Sequence, residues 1–94
     1  MPSQIVLSWD ANNVDHLWQS HHVTPDEVED VLLGFEGEGA HFLQTRDGGY
    51  YAFLGETGDG RLLSIVGEYR DDGLLYIFSA RDMNAREKRH YRRR

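Results

Sequence analysis

Hydrophobic residues recur every three to four positions in the first third of the chain and every second position through most of the remainder. The first rhythm is that of helices with one buried stripe, the second that of strands. Val14, Leu17, Trp18 and His21 fall at i, i+3, i+4 and i+7, behind Asp10 as an N-cap. They predict a first helix with Asn12, Asn13, Asp15 and Gln19 facing outward. Ahead of it, Gln4 to Trp9 reads as a short strand. His22 falls at the helix break, where a glycine would be more comfortable. Thr24-Pro25-Asp26-Glu27 then forms a capping box with proline in the first helical position. Val28, Val31, Leu32 and Phe35 repeat the apolar stripe, and Gly34, Gly37 and Gly39 end this second helix.

From Ala40 the period changes to two. His41 to Arg46, Tyr50 to Glu56, Arg61 to Arg70 and Leu74 to Arg81 read as four strands. The links Asp47-Gly48-Gly49, Thr57-Gly58-Asp59-Gly60 and Asp71-Asp72-Gly73 are hairpin signals, so these strands predict an antiparallel meander. The aromatic last strand then breaks into a charged, helix-favouring run, with Asp82 as its expected N-cap. The element order is β-α-α-β-β-β-β-α. It predicts an α+β fold, with two N-terminal helices and a C-terminal helix packed on the meander sheet. The length of 94 residues suits one domain, residues 1–94.

Composition narrows the setting. No apolar run approaches the roughly 18 residues that a membrane span requires. There is no basic-then-apolar leader, and there are no cysteines for disulfides or thiolate metal sites. The expected compartment is the cytoplasm. The net charge of −6 conceals a division. Residues 1–80 hold 3 arginines against 14 acids, whereas residues 81–94 hold 7 basic residues against 2 acids. An acidic body argues against a general nucleic-acid binder, while the basic end offers one place to hold phosphate. The alternative is a solvated helix face that pairs with the acidic body.

Candidate chemistry gathers at that end. Met83, Glu87 and Tyr91 recur every four residues, so Glu87 lies between two core-facing anchors. A carboxylate there needs a partner, and Arg81 is the nearest in sequence. Strict alternation puts Arg81 on the sheet face of Leu75, Ile77 and Ser79. It puts Arg61 with Leu63, Ile65 and Tyr69. Hairpin register decides whether these are one face. If they are, Arg61, Arg81 and Glu87 converge. Guanidinium groups there would hold a phosphodiester, and a carboxylate or imidazole would move the proton of an RNA 2′-hydroxyl. The alternative is an Arg81–Glu87 pair that only docks the helix. His90 is attractive as a general acid or base because imidazole titrates near neutrality, or it is a surface residue near a helix end. Tyr91 is expected as a core anchor with its hydroxyl on a polar partner. His16, His21, His22 and His41 lack ligand spacing, so no metal is called for. Trp9, Trp18, Tyr50, Tyr51, Phe53 and Tyr69 include any base-stacking platform, with core packing the other fate.

Several stretches together resemble a known family. They are Trp9-Asp10 with Asn13 and His16, then His21 and Val23-Thr24-Pro25-Asp26-Glu27-Val28-Glu29. Leu54-Gly55 and Asp59-Gly60-Arg61-Leu62-Leu63 follow, and then Ser79-Ala80-Arg81-Asp82-Met83 with Glu87 and Tyr91. From about Trp9 to Arg92 the chain resembles the BrnT-type toxins of bacterial type II toxin–antitoxin systems, within the RelE-like ribonuclease fold. The closing Ala-Arg-Asp-Met-x-x-x-Glu-x-x-x-Tyr pattern is the most specific part. The family commonly has glycine where His22 stands. The resemblance implies a cytoplasmic, metal-independent endoribonuclease without cofactors, inhibiting translation and growth. It also implies a cognate antitoxin, often DNA-binding, that neutralises it. Arg61, Arg81 and Glu87 match the positions expected to matter for RNA cleavage. His90 joins them as a catalytic candidate, and Arg70, Arg86, Arg89 and Tyr91 are the expected RNA contacts. The competing expectation is a non-catalytic partner-binding module of the same fold.

Overall fold

The computed structural model describes residues 6–33, 41–44 and 50–93. It is an α+β arrangement in the expected element order: β1 (Leu7–Ser8), α1 (Ala11–His21), α2 (Pro25–Leu33), β2 (His41–Gln44), β3 (Tyr50–Glu56), β4 (Leu62–Tyr69), β5 (Leu75–Asp82) and α3 (Ala85–Arg93). The described strands make one sheet of order β1-β5-β4-β3-β2. Strands β2 to β5 form the antiparallel meander, and β1 adds a short parallel edge beside β5, so the sheet is mixed.

Helices cover both faces. On one face Leu17 of α1 and Val28, Val31 and Leu32 of α2 pack on Phe53, Leu63, Ile65, Leu75, Ile77 and Ala80. On the other, Tyr91 of α3 and Met83 pack on Leu54, with Leu62 at the margin. Phe53 and Leu54 are neighbours on β3 and point to opposite faces, so each core takes one of them.

The caps explain where the helices begin and end. The Asp10 carboxylate accepts from the Asn13 N–H at 2.9 Å, and the Asn13 side-chain oxygen accepts from the Asp10 N–H at 2.8 Å. Thr24 and Glu27 exchange the same pair of bonds at the start of α2. Between the two helices His22 takes the left-handed conformation at φ 55 and ψ 42, the position normally given to glycine.

Four expectations change. Asn13 faces inward, not outward, with 3% of its surface exposed. Its amide nitrogen donates to the carbonyls of Ser8 at 2.9 Å and Ile77 at 2.8 Å. It thereby takes the carbonyls that follow the last β1–β5 pair, Ser8 with Tyr76. Trp18, 52% exposed, and His21, exposed, are not on the buried stripe. Trp18 instead sets its ring edge-to-face on His22 at 4.8 Å between centroids. The N-cap of α3 is Asn84, not Asp82. Asn84 Oδ1 accepts from the Glu87 N–H at 2.8 Å and the Asn84 N–H donates to Glu87 at 2.9 Å, while Asp82 is the last residue of β5. The expected helix end at Phe35, Gly34, Gly37 and Gly39 and the Asp47-Gly48-Gly49 turn lie outside the described residues, as do Gln4, Ile5 and Arg46.

The fourth change concerns β5. Val66 pairs with Ser79, but its neighbour Gly67 pairs with Ile77, so Phe78 is an extra residue. Such a bulge inverts the alternation beyond it. Arg81 pairs with Ser64 and therefore leaves the face of Leu75 and Ile77 that strict alternation assigned to it. At the bulge, a Cβ on Gly67 would sit 2.8 Å from the Tyr76 carbonyl oxygen.

Two stability predictions follow from the backbone. Gly67→Ala should cost about 1–3 kcal/mol, because the obstructing atom is main chain. His22→Gly should stabilise by about 1 kcal/mol by relieving the left-handed residue. Urea denaturation of the two variants beside the wild type measures both.

Candidate functional site

Arg81 and Glu87 meet where β5 hands over to α3. Arg81 Nη1 lies 2.7 Å from Glu87 Oε1, and Nη2 lies 2.9 Å from Oε2. This is the parallel two-bond pairing in which a guanidinium fork matches a carboxylate. Glu87 is at the third position of α3, where its carboxylate also receives the Asn84 N–H. Ser64, paired with Arg81 across the β4–β5 ladder, donates its hydroxyl to Oε2 at 3.2 Å. Each Glu87 oxygen therefore accepts two bonds. Burial pushes the Glu87 carboxyl up, but the Arg81 fork, the Asn84 N–H and Ser64 outweigh it and hold it below the usual carboxylate value. The Glu87 carboxylate in turn raises Arg81.

The pair is half-buried, with 37% of the Arg81 side chain and 20% of the Glu87 side chain exposed. Besides the fork, Arg81 Nη1 donates to the Asp82 carbonyl at 3.2 Å. Nε–H and one Nη2–H have no partner among the described residues. They are the donors with which Arg81 can meet a ligand.

Arg61 does not join this pair. It shares a face with Leu63, and Leu63 pairs with Asp82, whereas Arg81 pairs with Ser64 on the opposite face. The conditional convergence of Arg61, Arg81 and Glu87 is thus overturned by the register after the bulge. Arg61 serves the helical layer of α1 and α2. Its Nε and Nη2 donate to Asp82 at 2.8 and 3.2 Å. Nη1 donates to Glu27 at 3.0 and 3.1 Å and to the His22 carbonyl at 3.0 Å. Nη2 also donates to the His21 carbonyl at 3.1 Å. All five guanidinium hydrogens are engaged. One side chain closes the C-terminus of α1, holds the capping box of α2 and ties both to the end of β5. The Asp82 and Glu27 carboxylates raise Arg61 further above its ordinary range.

The remaining candidates are spread over three places. On α3, Arg86, Arg89, His90 and Arg93 are exposed and fall at i, i+3, i+4 and i+7, a cationic outer stripe. Tyr91 is buried against Leu54 and Met83, with its hydroxyl 3.5 Å from Glu56 Oε1. Its ring cannot stack a base, so the expected RNA contact by this side chain is corrected to anchoring of α3. Arg70 stands at the β4–β5 turn, at the far end of the hairpin from Arg81. There it pairs with Glu68 at 3.2 Å and lies 3.9 Å over the Tyr76 ring. It cannot share a site with Arg81 on a compact ligand. Of the aromatic residues, Phe53 is core, while Tyr50 and Tyr69 are exposed in edge-to-face pairs with Phe78 and Tyr51. Trp9 is partly buried and donates to Glu29 at 2.9 Å. Among the described residues no three His, Asp or Glu side chains gather as metal ligands would, and no helix is long and apolar enough to cross a membrane.

Two residues of the corner escaped the sequence reading. Ser64 is a hydroxyl between Leu63 and Ile65, 6% exposed. A polar residue in so apolar a strand signals a buried polar neighbour. Asn84-x-x-Glu87 is a capping box in plain sight, masked by Asp82 two residues earlier. Compared with known proteins, the chain matches no family model and no curated protein.

The acid dependence of stability follows from these pairs. Glu27 is pushed up by burial but pulled below its ordinary value by Thr24 and Arg61. Asp82 is lowered chiefly by its hydrogen bonds to Arg61. Like Glu87, these groups bind protons less readily folded than unfolded. Their stabilisation is complete above the unfolded carboxylate value of about 4 and is lost as pH falls through the lower folded values. Arg61→Gln should cost about 1–2 kcal/mol at neutral pH, by taking Arg61 from the half-buried Glu27 and from two helix-end carbonyls, while the exposed Asp82 contributes little. The loss should shrink on acidification as Glu27 and Asp82 protonate, which denaturation series at neutral and acidic pH would show.

Proposed function

We propose that the chain is a ribonuclease toxin of a type II toxin–antitoxin system, of the BrnT type and the RelE-like fold. It is cytoplasmic and held inactive by a cognate antitoxin, one with DNA-binding character. The observation that carries the reading is the half-exposed Arg81 fork, fixed by Glu87 where the last strand meets a helix with a cationic outer stripe. The element order and the closing Arg-Asp-Met-x-x-x-Glu-x-x-x-Tyr pattern, with Met83 and Tyr91 as anchors around Glu87, support it.

Metal-independent RNA cleavage has few requirements. The 2′-oxygen attacks the neighbouring phosphorus as the bond from phosphorus to the 5′-oxygen breaks. A cyclic phosphate and a 5′-hydroxyl result. One proton leaves the 2′-oxygen and one arrives at the 5′-oxygen. Arg81 holds the non-bridging oxygens, whose charge grows in the transition state. Glu87 orients the guanidinium. His90, on the exposed stripe of α3, is the imidazole available to carry protons. Arg86 and Arg89 neutralise flanking phosphates. Arg61 has no donor left for RNA and acts as the clamp of the fold.

A second reading, the non-catalytic partner-binding module, is favoured by the full engagement of Glu87 and Arg61 within the chain. Expression in a bacterial host without antitoxin separates the two. The toxin reading expects growth arrest with loss of intact RNA. It expects purified Arg81→Ala and Arg81→Lys, shown folded by circular dichroism, to cleave RNA about 10²-fold more slowly than wild type. A folded wild type that neither arrests growth nor cleaves RNA would leave the binding module.

A further inference from the structure

The donors around Glu87 have the composition of a phosphate receptor. Arg81 offers two parallel N–H bonds, Ser64 a hydroxyl and Asn84 a main-chain N–H at the head of α3. All four bonds converge on one pair of oxygens at 2.7 to 3.2 Å. The two oxygens of a carboxylate and two oxygens of a phosphoryl group present nearly the same edge to a guanidinium fork. The anion now on that fork belongs to the chain itself.

We infer that Arg81, Ser64 and Asn84 form an oxyanion receptor whose resting occupant is the Glu87 carboxylate, and that a phosphoryl group gains the Nη1/Nη2 edge of Arg81 together with Ser64 and Asn84 only by displacing it. The phosphoryl group is the RNA phosphodiester if the ribonuclease reading holds; the receptor itself does not depend on that reading. Glu87 is then a built-in competitor as well as an orienting group. With Glu87 seated, Arg81 can offer an incoming oxyanion only Nε–H and one Nη2–H, and neither Ser64 nor Asn84 is available. Ligand affinity is lowered by the fraction of time the fork is vacant. The exposure of Arg81 gives the entry side. Of the other members, Ser64 is buried and Asn84 is exposed at the head of α3.

The test is inorganic phosphate titrated into the full chain at neutral pH, followed by NMR of the Arg81 side-chain N–H groups and the Asn84 amide. Glu87→Gln keeps a capping-box side chain and removes the charge. Glu87→Ala empties the cradle in case the glutamine amide stays bound. At least one of these variants should bind phosphate about tenfold more tightly than wild type, with the Arg81 and Asn84 signals moving together. Adding Arg81→Gln to either variant should abolish the gain. If neither variant binds more tightly, or if phosphate moves only signals of Arg86, Arg89 and Arg93, the receptor is overturned and phosphate meets the solvated stripe alone. Tighter phosphate binding in a chain that cleaves no RNA would uphold the receptor and remove the ribonuclease. Cleavage by a wild type whose Glu87 variants gain nothing would do the reverse.

Discussion

Consecutive side chains of a strand point to opposite faces, and this constraint makes the end of β5 the joint of the molecule. Asp82 turns to the face of α1 and α2 and enters the Arg61 clamp. Arg81 turns to the face of α3 and takes Glu87. One dipeptide thereby ties both helical layers to the sheet. The phase of that dipeptide is set by the bulge at Phe78. Without the extra residue, Arg81 would enter the apolar layer beneath α1 and α2, and Asp82 would face Glu87 with the wrong sign. Gly67, pressed close to the Tyr76 carbonyl, is what allows the bulge to close.

The two layers differ in what holds them. The layer under α1 and α2 is a broad aliphatic core, and Arg61 only finishes it at one end. Among the described residues the layer under α3 is small: Leu54, Met83 and Tyr91, with Leu62 beside them. Helix α3 carries arginine, lysine and histidine along most of its length, and only Tyr91 within it is buried. Among the described residues these apolar contacts are few against the entropy of ordering nine residues. The reciprocal Asn84–Glu87 cap and the Arg81–Glu87 fork supply the rest. Glu87 thus adds to the docking of α3, beside the anchors Met83 and Tyr91.

The legible parts of the fold were those in which local chemistry and pattern agree. Thr24-Pro25-Asp26-Glu27 starts a helix, and the links Thr57-Gly58-Asp59-Gly60 and Asp71-Asp72-Gly73 turn hairpins, because each rule acts over a few residues. Tyr50 to Glu56 was placed to the residue. The misreadings share a cause, namely partners far along the chain. Asn13 looked like a solvent-facing amide because nothing local shows the Ile77 carbonyl, 64 residues away. Trp18 looked buried because hydrophobicity is a poor guide for one large ring on a short helix, where the actual inward position was taken by an amide. Arg61 and Arg81 looked as though they could converge because a one-residue bulge leaves no strong mark in a sequence, yet it decides the face of everything after it. The Arg81–Glu87 contact was legible for the opposite reason. Its residues are only six apart, and the spacing of Met83, Glu87 and Tyr91 fixed which side of the helix the carboxylate would occupy.

The bonds that make Glu87 a good dock make it a poor base. A carboxylate that accepts from a guanidinium fork, a hydroxyl and a main-chain N–H has its proton affinity lowered by each, and the net shift is downward despite burial. General-base strength falls with that affinity. The electrostatic value of the corner therefore lies in Arg81, whose charge is secure and whose side chain is partly exposed. At the strand–helix junction Glu87 sets the position of the guanidinium, and the cationic stripe of α3 lies exposed beside it.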